Sequence, residues 1–396
     1  MADKPDVKKR KPSLSAGNIA RFTILVAGIF VLLRIFYFHD IEFYCVASCS
    51  MEPTLYGDAE NGDRILVNRL AYKIGDPKRW DVAVFEFPEN IPPYFAEGGK
   101  TYIKRIVGMP GDTLEIKGGE IYLWDREQRE FIILRKPDDI QKILWHTIFN
   151  QQFHNPKPDW SFGKHWRAED GEIVYDGESE SKASEITLEP SSTGGDLLIA
   201  FDIRVESGQG GVGVRLQEDL DAEGTHTDIS FEVRLATKST PYGTWSPTVH
   251  VNGQNLTDNL PKLEPKRTYS IEMSNVDDKV TFKLDGKTIY SKTYSEDNPQ
   301  TLPTPKITIS AAGIHASLTN MIIQQDVYYT SENGSRQIAY GNPGNAVKVL
   351  ADNYFVLGDN SALSSDSRMW GLVPRNHMIG RAFFILRPLN RLSFIK

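Results

Sequence analysis

Twenty residues from Ile19 to Phe38, IARFTILVAGIFVLLRIFYF, constrain this chain more than any other feature in it. At a rise of about 1.5 Å per residue, a helix of that length reaches the roughly 30 Å of a bilayer's hydrocarbon core. Its uncharged centre, Phe22 to Leu33, has only 12 residues, so a crossing requires Arg21 and Arg34 to reach toward opposite head-group layers. Up to Arg21 the chain carries six bases (Lys4, Lys8, Lys9, Arg10, Lys11 and Arg21) against Asp3 and Asp6. That excess predicts residues 1–18 as a basic cytoplasmic tail, 19–38 as a transmembrane anchor in the cell membrane, and everything after Asp40 on the outer side. No other stretch reaches 18 apolar residues, and the closing GRAFFILRPLNRLSFIK is interrupted by Arg387, Pro388 and Arg391. A single pass follows.

A cleaved secretory signal would also have a basic foot and a short apolar stretch. VASC, Val46 to Cys49, looks like a lipidation box. Its cysteine, however, lies 11 residues beyond Phe38 with the polar HDIE between, whereas a cleavage signal abuts the apolar stretch.

The remaining chain is long enough, at 396 residues in all and 40% hydrophobic, to fold into two or three domains. The net charge is −7. With +4 in the first 21 residues, the other 375 carry −11, which argues against nucleic acid as a partner. Two cysteines, Cys45 and Cys49, are too few for a disulfide framework.

Residues 41–125 alternate short β-type runs with turn signals: DRILVNRLAY, WDVAVFEFP, TYIKRIVGMPGDTLEI and GEIYLW. Residues 336–396 have the same texture, and the two parts read as one β structure. Between them, 126–335 begins with an irregular or partly helical lead-in, DDIQKILWHTIFNQQFHNPKPDW. Evenly spaced strands follow, from SEITLEP to PKITISAAG, with the Gly, Asn and Asp punctuation of an antiparallel sandwich. DKVTFKLDGKTIYS is the clearest hairpin, because DG favours a type I′ turn. The expected fold is therefore mainly β: an N-terminal transmembrane helix, then a β domain interrupted by an inserted sandwich, since insertion is tolerated where a loop's ends lie close together. The rhythm of the insert resembles that of jelly-roll or concanavalin-like domains.

Common cofactor signatures are absent from the sequence. None of the eight histidines has a zinc spacing. DLDAEG at Asp219 to Gly224 starts like a calcium loop, but Ser230 stands where the bidentate glutamate belongs. No glycine-rich phosphate loop occurs, so neither a cofactor nor a metal is expected.

Three strings stand out: SCSMEPTL from Ser48, YIKRIVGMPGD from Tyr102 and GDNSALSSDSRMWGLVP from Gly358. A serine hydroxyl needs a base to take its proton, and a lysine can be that base if desolvation keeps it neutral. Lys104, if it points inward from a strand, shares a face with Tyr102 and Ile106, and Arg105 points the other way. The competing reading makes Lys104 and Arg105 surface charges.

Taken together and in this order, the strings resemble the bacterial type I signal peptidases, membrane-bound Ser/Lys proteases that remove leader peptides from exported proteins. The resemblance covers roughly 19–123 and 345–385. It implies Ser50 of SMEPTL as nucleophile, Lys104 of KRIVGMPGD as general base, and Ser48 as a hydroxyl in the oxyanion hole beside the Ser50 backbone N–H. In SSDSR it implies Ser364 as the residue that orients the lysine by a hydrogen bond, with Asp366 and Arg368 as a supporting ion pair. GDN at Gly358 to Asn360 and GLVP at Gly371 to Pro374 match as well. SALS after GDN departs from the family's usual charged or polar stretch, and Cys49 is an unusual residue between the two serines. Lysine rather than histidine at 104 points to the bacterial type.

The expected activity is that of a serine endopeptidase acting on signal peptides of exported preproteins at the lipid bilayer, with an unidentified ligand for the sandwich. Excising about 130–335 is expected to leave a foldable core. Two rival readings are a self-cleaving Ser/Lys protease of the repressor type, and a membrane-tethered carbohydrate- or protein-binding module on an inactive protease frame.

Overall fold

In the computed structural model the described residues are 22–28, 40–89, 98–151, 160–190, 196–219, 229–238, 248–251, 254–257, 260–294, 304–329, 332–333, 336–337 and 339–396. They are mainly β, as the alternating and continuous apolar runs lead one to expect. Of the predicted anchor, residues 22–28 are helical and exposed; the rest of 19–38, the basic tail and residues 220–228 of the calcium-like loop lie outside the described residues. Among the described residues, no helix is long and apolar enough to cross a membrane.

The chain opens with β1 (Ile41–Cys45), β2 (Arg64–Asn68), β3 (Val82–Glu86) and β4 (Thr101–Gly108). It continues into a small meander of β5 (Thr113–Lys117), β6 (Glu120–Asp125) and β7 (Glu130–Ile133). A helix, Asp138–Leu144, then turns Ile140 and Leu144 into the core beneath that meander. So the stretch 126–335 is not all sandwich: its first strand, β7, extends the small sheet through β6.

Among the described residues the sandwich takes 13 strands: β8 (His146–Asn150), β9 (Ser161–Phe162), β10 (Trp166–Glu169), β11 (Glu172–Asp176), β12 (Ser184–Leu188), β13 (Leu197–Asp219), β14 (Ile229–Ala236), β15 (Thr248–Val251), β16 (Gln254–Thr257), β17 (Thr268–Val276), β18 (Lys279–Leu284), β19 (Lys287–Thr293) and β20 (Thr304–Gln325). Two of these are far longer than the rest, β13 with 23 residues and β20 with 22, and they pair with each other along both layers. The first half of β13 pairs with β17, and the second half with β14. Ile199, Phe201 and Ile203 from one half and Val212, Val214 and Leu216 from the other enter a single apolar core. One continuous ribbon is thus folded over on itself. The fold-over occurs where the register slips, between Val205 and Gly211. Gly208 and Gly313 have φ of 108° and 65° there, and a Cβ on Gly210 would lie 1.8 Å from the Ala312 carbonyl oxygen, so the crossing requires glycine. The DG hairpin has the expected turn, with φ of 50° at Asp285 and 73° at Gly286 between β18 and β19.

After a short pairing of β21 (Glu332–Asn333) with β22 (Arg336–Gln337), the chain returns. β23 (Val347–Lys348) joins β5; β24 (Asn353–Leu357), β25 (Val373–Pro374), β26 (Met378–Arg387) and β27 (Ser393–Phe394) complete the first sheet, in the order β1-β2-β26-β3-β4-β24-β25 with β27 on β26. This sheet is covered on both faces. Val82 and Val84 of β3 enter one core with Met51 and Leu55, while Ala83 and Phe85 enter another with Ile106 and Trp370. That explains the unbroken VAVF run, because a strand buried on both sides has no polar face to alternate with. β24 likewise alternates, Tyr354 and Val356 facing one core and Phe355 and Leu357 the next.

Candidate active site

After β1 the chain forms a single 3-10 turn, Cys49–Met51. Two contacts of its flanks hold that turn: the Val46 N–H donates to the Asp63 carbonyl at 2.9 Å, and the Leu55 N–H to the Met51 carbonyl at 2.8 Å. Met51 and Leu55 are fully buried, each worth roughly 1.5–3 kcal/mol. Ser50, between them and the surface, is therefore placed by apolar neighbours. Its carbonyl accepts the Asn360 N–H at 3.1 Å, so the turn is fastened directly to the GDN string. Gly358 makes that approach possible, since a Cβ on it would lie 2.2 Å from Ser364 Oγ and 2.5 Å from the Ser50 carbonyl oxygen.

Lys104, 3% exposed on the central strand β4, donates from Nζ to Ser50 Oγ at 2.6 Å and to its neighbour's carbonyl, Ile103 O, at 3.0 Å. Tyr102 presents its ring 5.9 Å from that nitrogen. Burial lowers the Lys104 pKa from 10.5 to about 8, against the pull of Asp366 and Asp359 and with help from Arg368. Ser48 is exposed at the rim, with its Oγ 3.2 Å from Ser50 Oγ.

Asp366 and Arg368 form a buried bidentate pair, Nε to Oδ1 and Nη2 to Oδ2 both at 2.9 Å. Asp366 also accepts the Gly358 N–H at 3.1 Å, and Arg368 reaches Ser361 Oγ at 2.8 Å and its carbonyl at 2.9 Å. Burial alone would raise the Asp366 pKa, but the Arg368 guanidinium outweighs it and holds the carboxyl below the usual carboxylate range. Ser364 is buried beside Asp366. The hydrogen bonds from Lys104 Nζ among the described residues run to Ser50 and Ile103, while the Ser364 side chain helps to lower the Asp366 pKa.

A second buried pair escaped sequence reasoning. Arg105, fully buried instead of exposed, binds Asp359 through Nε–Oδ1 at 2.8 Å and Nη2–Oδ2 at 2.7 Å. Thr54 donates to Asp359 Oδ2 at 2.5 Å, and Arg105 Nη1 donates to the carbonyls of Trp80 and Lys396. An arginine inside an apolar run, together with an aspartate in an equally apolar NYFVLGDN, was the available signal.

The site opens onto a cleft of about 430 Å³, walled by Tyr44, Val46, Ala47, Ile65, Ile103 and Leu363. One wall follows β1 and its continuation to Ser48, and the other the start of β4. Ser50, Ser48 and Lys104 lie at its floor and edge.

Signal peptidase, peptidase S26, matches residues 16–158 and 248–387 of this sequence. The chain belongs to this family. Signal peptidase I P of Bacillus subtilis subsp. natto is 37% identical over 138 residues, covering 34% of this chain and 64% of that one. Signal peptidase I of Pseudomonas aeruginosa is 42% identical over 128 residues, or 29% of this chain and 41% of that one. Probable signal peptidase I-1 of Synechocystis is 32% identical over 114 residues, 29% and 55%. The chain thus spans about half the length of the curated relatives it matches. Among solved structures, carbohydrate-binding module CBM66 of Bacillus subtilis is 15% identical and covers 42% of this chain and 96% of that one, at a TM-score of 0.30. A Bacillus subtilis protein with a galectin-like fold is 13% identical and covers 46% and 99%, at 0.33. These scores are too low to carry the fold of the insert, which rests on its own strand pairing.

In this peptidase S26 chain a second cluster of ionisable groups lies away from the cleft. Glu120, Asp196, Asp277 and Asp326 bring their carboxylates within 4.8 Å of one another. The cation among them is Lys136, whose Nζ is 2.5 Å from Asp277 and 2.8 Å from Asp326. That ammonium stands where a metal ion would, so the cluster reads as an ion-pair junction.

Proposed function

We propose that the protein removes signal peptides from exported preproteins as a membrane-bound serine endopeptidase. The observation that carries this reading is the 2.6 Å hydrogen bond between Lys104 Nζ and Ser50 Oγ at the floor of an apolar cleft. Neutral Lys104 takes the proton of Ser50 as Oγ bonds to the scissile carbonyl carbon. The oxyanion is held by the Ser48 hydroxyl and the Ser50 backbone N–H, donors of a kind commonly worth about 3–4 kcal/mol of barrier lowering. The lysinium returns the proton to the leaving amine as the C–N bond breaks, and water releases the acyl group from Ser50. Asp366 and Arg368, with Ser364 beside them, act as the support of Lys104.

The substrate lies extended in the cleft, with small side chains entering its apolar walls. The single anchor at 19–38, the cytoplasmic tail at 1–18 and the outer location of the rest belong to the same reading, supported by the basic foot and the apolar stretch. So does the division into a β domain at 41–125 and 336–396 with the insert between.

Ser50→Ala and Lys104→Ala in the full-length protein, assayed on a secreted precursor with an Ala-x-Ala site, are each expected to abolish cleavage with the fold retained. Normal cleavage by either variant overturns the assignment.

A further inference from the structure

The chain leaves the sandwich through four residues, Asp326 to Tyr329, that end against the active-site ion pairs. Asp326 is fastened at both carboxylate oxygens, by Lys136 Nζ at 2.8 Å and Gln141 Nε2 at 2.7 Å. Lys136 is also held by Asp277 in the turn between β17 and β18, which accepts its N–H at 3.0 Å, and Arg135 donates to the Asp277 carbonyl at 2.9 Å. The exit is thereby clamped between the small meander and the sandwich. One and three residues on, Val327 and Tyr329 are buried with Val107, Phe355 and Leu357, from the strands that carry Lys104 and lead to Asp359. The Tyr329 ring lies 5.8 Å from the Arg368 guanidinium, and its buried hydroxyl has no hydrogen-bond partner among the described residues. The ring face, not the hydroxyl, is what Tyr329 offers.

We infer that Asp326 to Tyr329 is a positioning element for Lys104: the clamp fixes the exit segment, and Tyr329 holds the Arg368–Asp366 pair against the site. This rests on the Ser50/Lys104 reading. A cation on an aromatic face is worth about 0.5–2 kcal/mol, enough to choose between arrangements of a buried pair. Of the charged and titratable groups that face Lys104, Asp366, Asp359 and Cys49 favour its lysinium form and Arg368 opposes it. Loosening the arginine leaves the aspartate less neutralised, which favours the lysinium and raises the pH at which Lys104 becomes neutral.

The test is the acid limb of kcat/KM for the full-length enzyme on the same Ala-x-Ala precursor. Tyr329→Phe keeps the ring and is expected to leave the limb in place. Tyr329→Leu keeps apolar volume without the ring and is expected to move the limb to higher pH by about half a unit, roughly a threefold loss at pH 7. Asp326→Asn, which weakens the clamp remotely, is expected to shift it the same way and decides the matter if Tyr329→Leu does not fold. A Tyr329→Leu or, failing that, an Asp326→Asn enzyme whose limb stays at the wild-type pH overturns the inference, whatever its kcat. Cleavage surviving in Ser50→Ala or Lys104→Ala overturns the underlying reading instead.

Discussion

In the proposed function, Lys104 is a residue whose environment trades stability for activity. Burial brings its pKa from 10.5 to about 8, so at pH 7 about a tenth of it is neutral, and kcat/KM is expected to fall tenfold per pH unit below that value. A rate flat from pH 8 to 5 would contradict lysine as the base. The same shift sets a stability trend. Between pH 8 and 10.5 the unfolded lysine binds more protons than the folded one, so stability rises with pH through that window. Lys104→Met is therefore expected to stabilise the protein at pH 7 by up to roughly 3 kcal/mol, a gain that shrinks as pH climbs to 10.5, measurable by urea denaturation in detergent. Arg105 and Arg368 are the opposite kind of residue. Among the described residues each is paired with one buried carboxylate, and Asp359→Asn or Asp366→Asn is expected to cost about 3–5 kcal/mol by removing that partner. A loss under 1 kcal/mol in either would mean that water reaches the arginine.

Elements rather than single residues explain which parts of the site were legible beforehand. Ser50 and Lys104 come from strings whose character is local: a hydroxyl in a short turn, and a lysine in a strand of apolar neighbours. Arg105 was read as facing away from Lys104, and no local pattern says that its opposite face is equally buried. That follows from the sheet being covered on both sides by separate cores. Asp359 and Thr54 lie 254 and 51 residues from Arg105, and Tyr329 comes from a segment that reads as the sandwich's closing strand. The hairpin at Asp285–Gly286 was legible because its turn is encoded in two adjacent residues. The fold-over of β13 and β20 was not, because GQGG at 208–211 is ordinary loop composition until a partner strand crosses it. A side chain at Gly210 is expected to disrupt that crossing: Gly210→Val should unfold the sandwich, seen as lost protease resistance of residues 146–325, while an unchanged digest would place the bend elsewhere.

For the whole molecule the important boundary is the one between the two β units. Gln325 of β20 pairs with His146 of β8, so the ends of the sandwich are neighbours about 5 Å apart, and a short linker can bridge them. Excision of 146–325 is expected to leave a folded, cleavage-competent protein. Excision of 130–335, the cut suggested by composition, removes β7 from the small sheet and Ile140, Leu144, Val327 and Tyr329 from the core of the remaining unit. At about 2–5 kcal/mol per large buried side chain, that exceeds the stability of an ordinary domain, and the product is expected to be insoluble. Equal solubility of the two shortened proteins would remove Tyr329 from the core it occupies.

The sequence alone determined the chain's mainly β class, in two textures, and carried the short strings by which it resembles the signal peptidases and in which Ser50 and Lys104 lie. The class follows from composition and period, and the strings from residues near one another in the chain. The tertiary structure decided how Lys104 is kept poised. The groups proposed to do so arrive from β4, the GDN string, the SSDSR string and the exit of the sandwich, and only packing brings them together. Their effect on the lysine depends on distance and on the exclusion of water, neither of which is written along the chain.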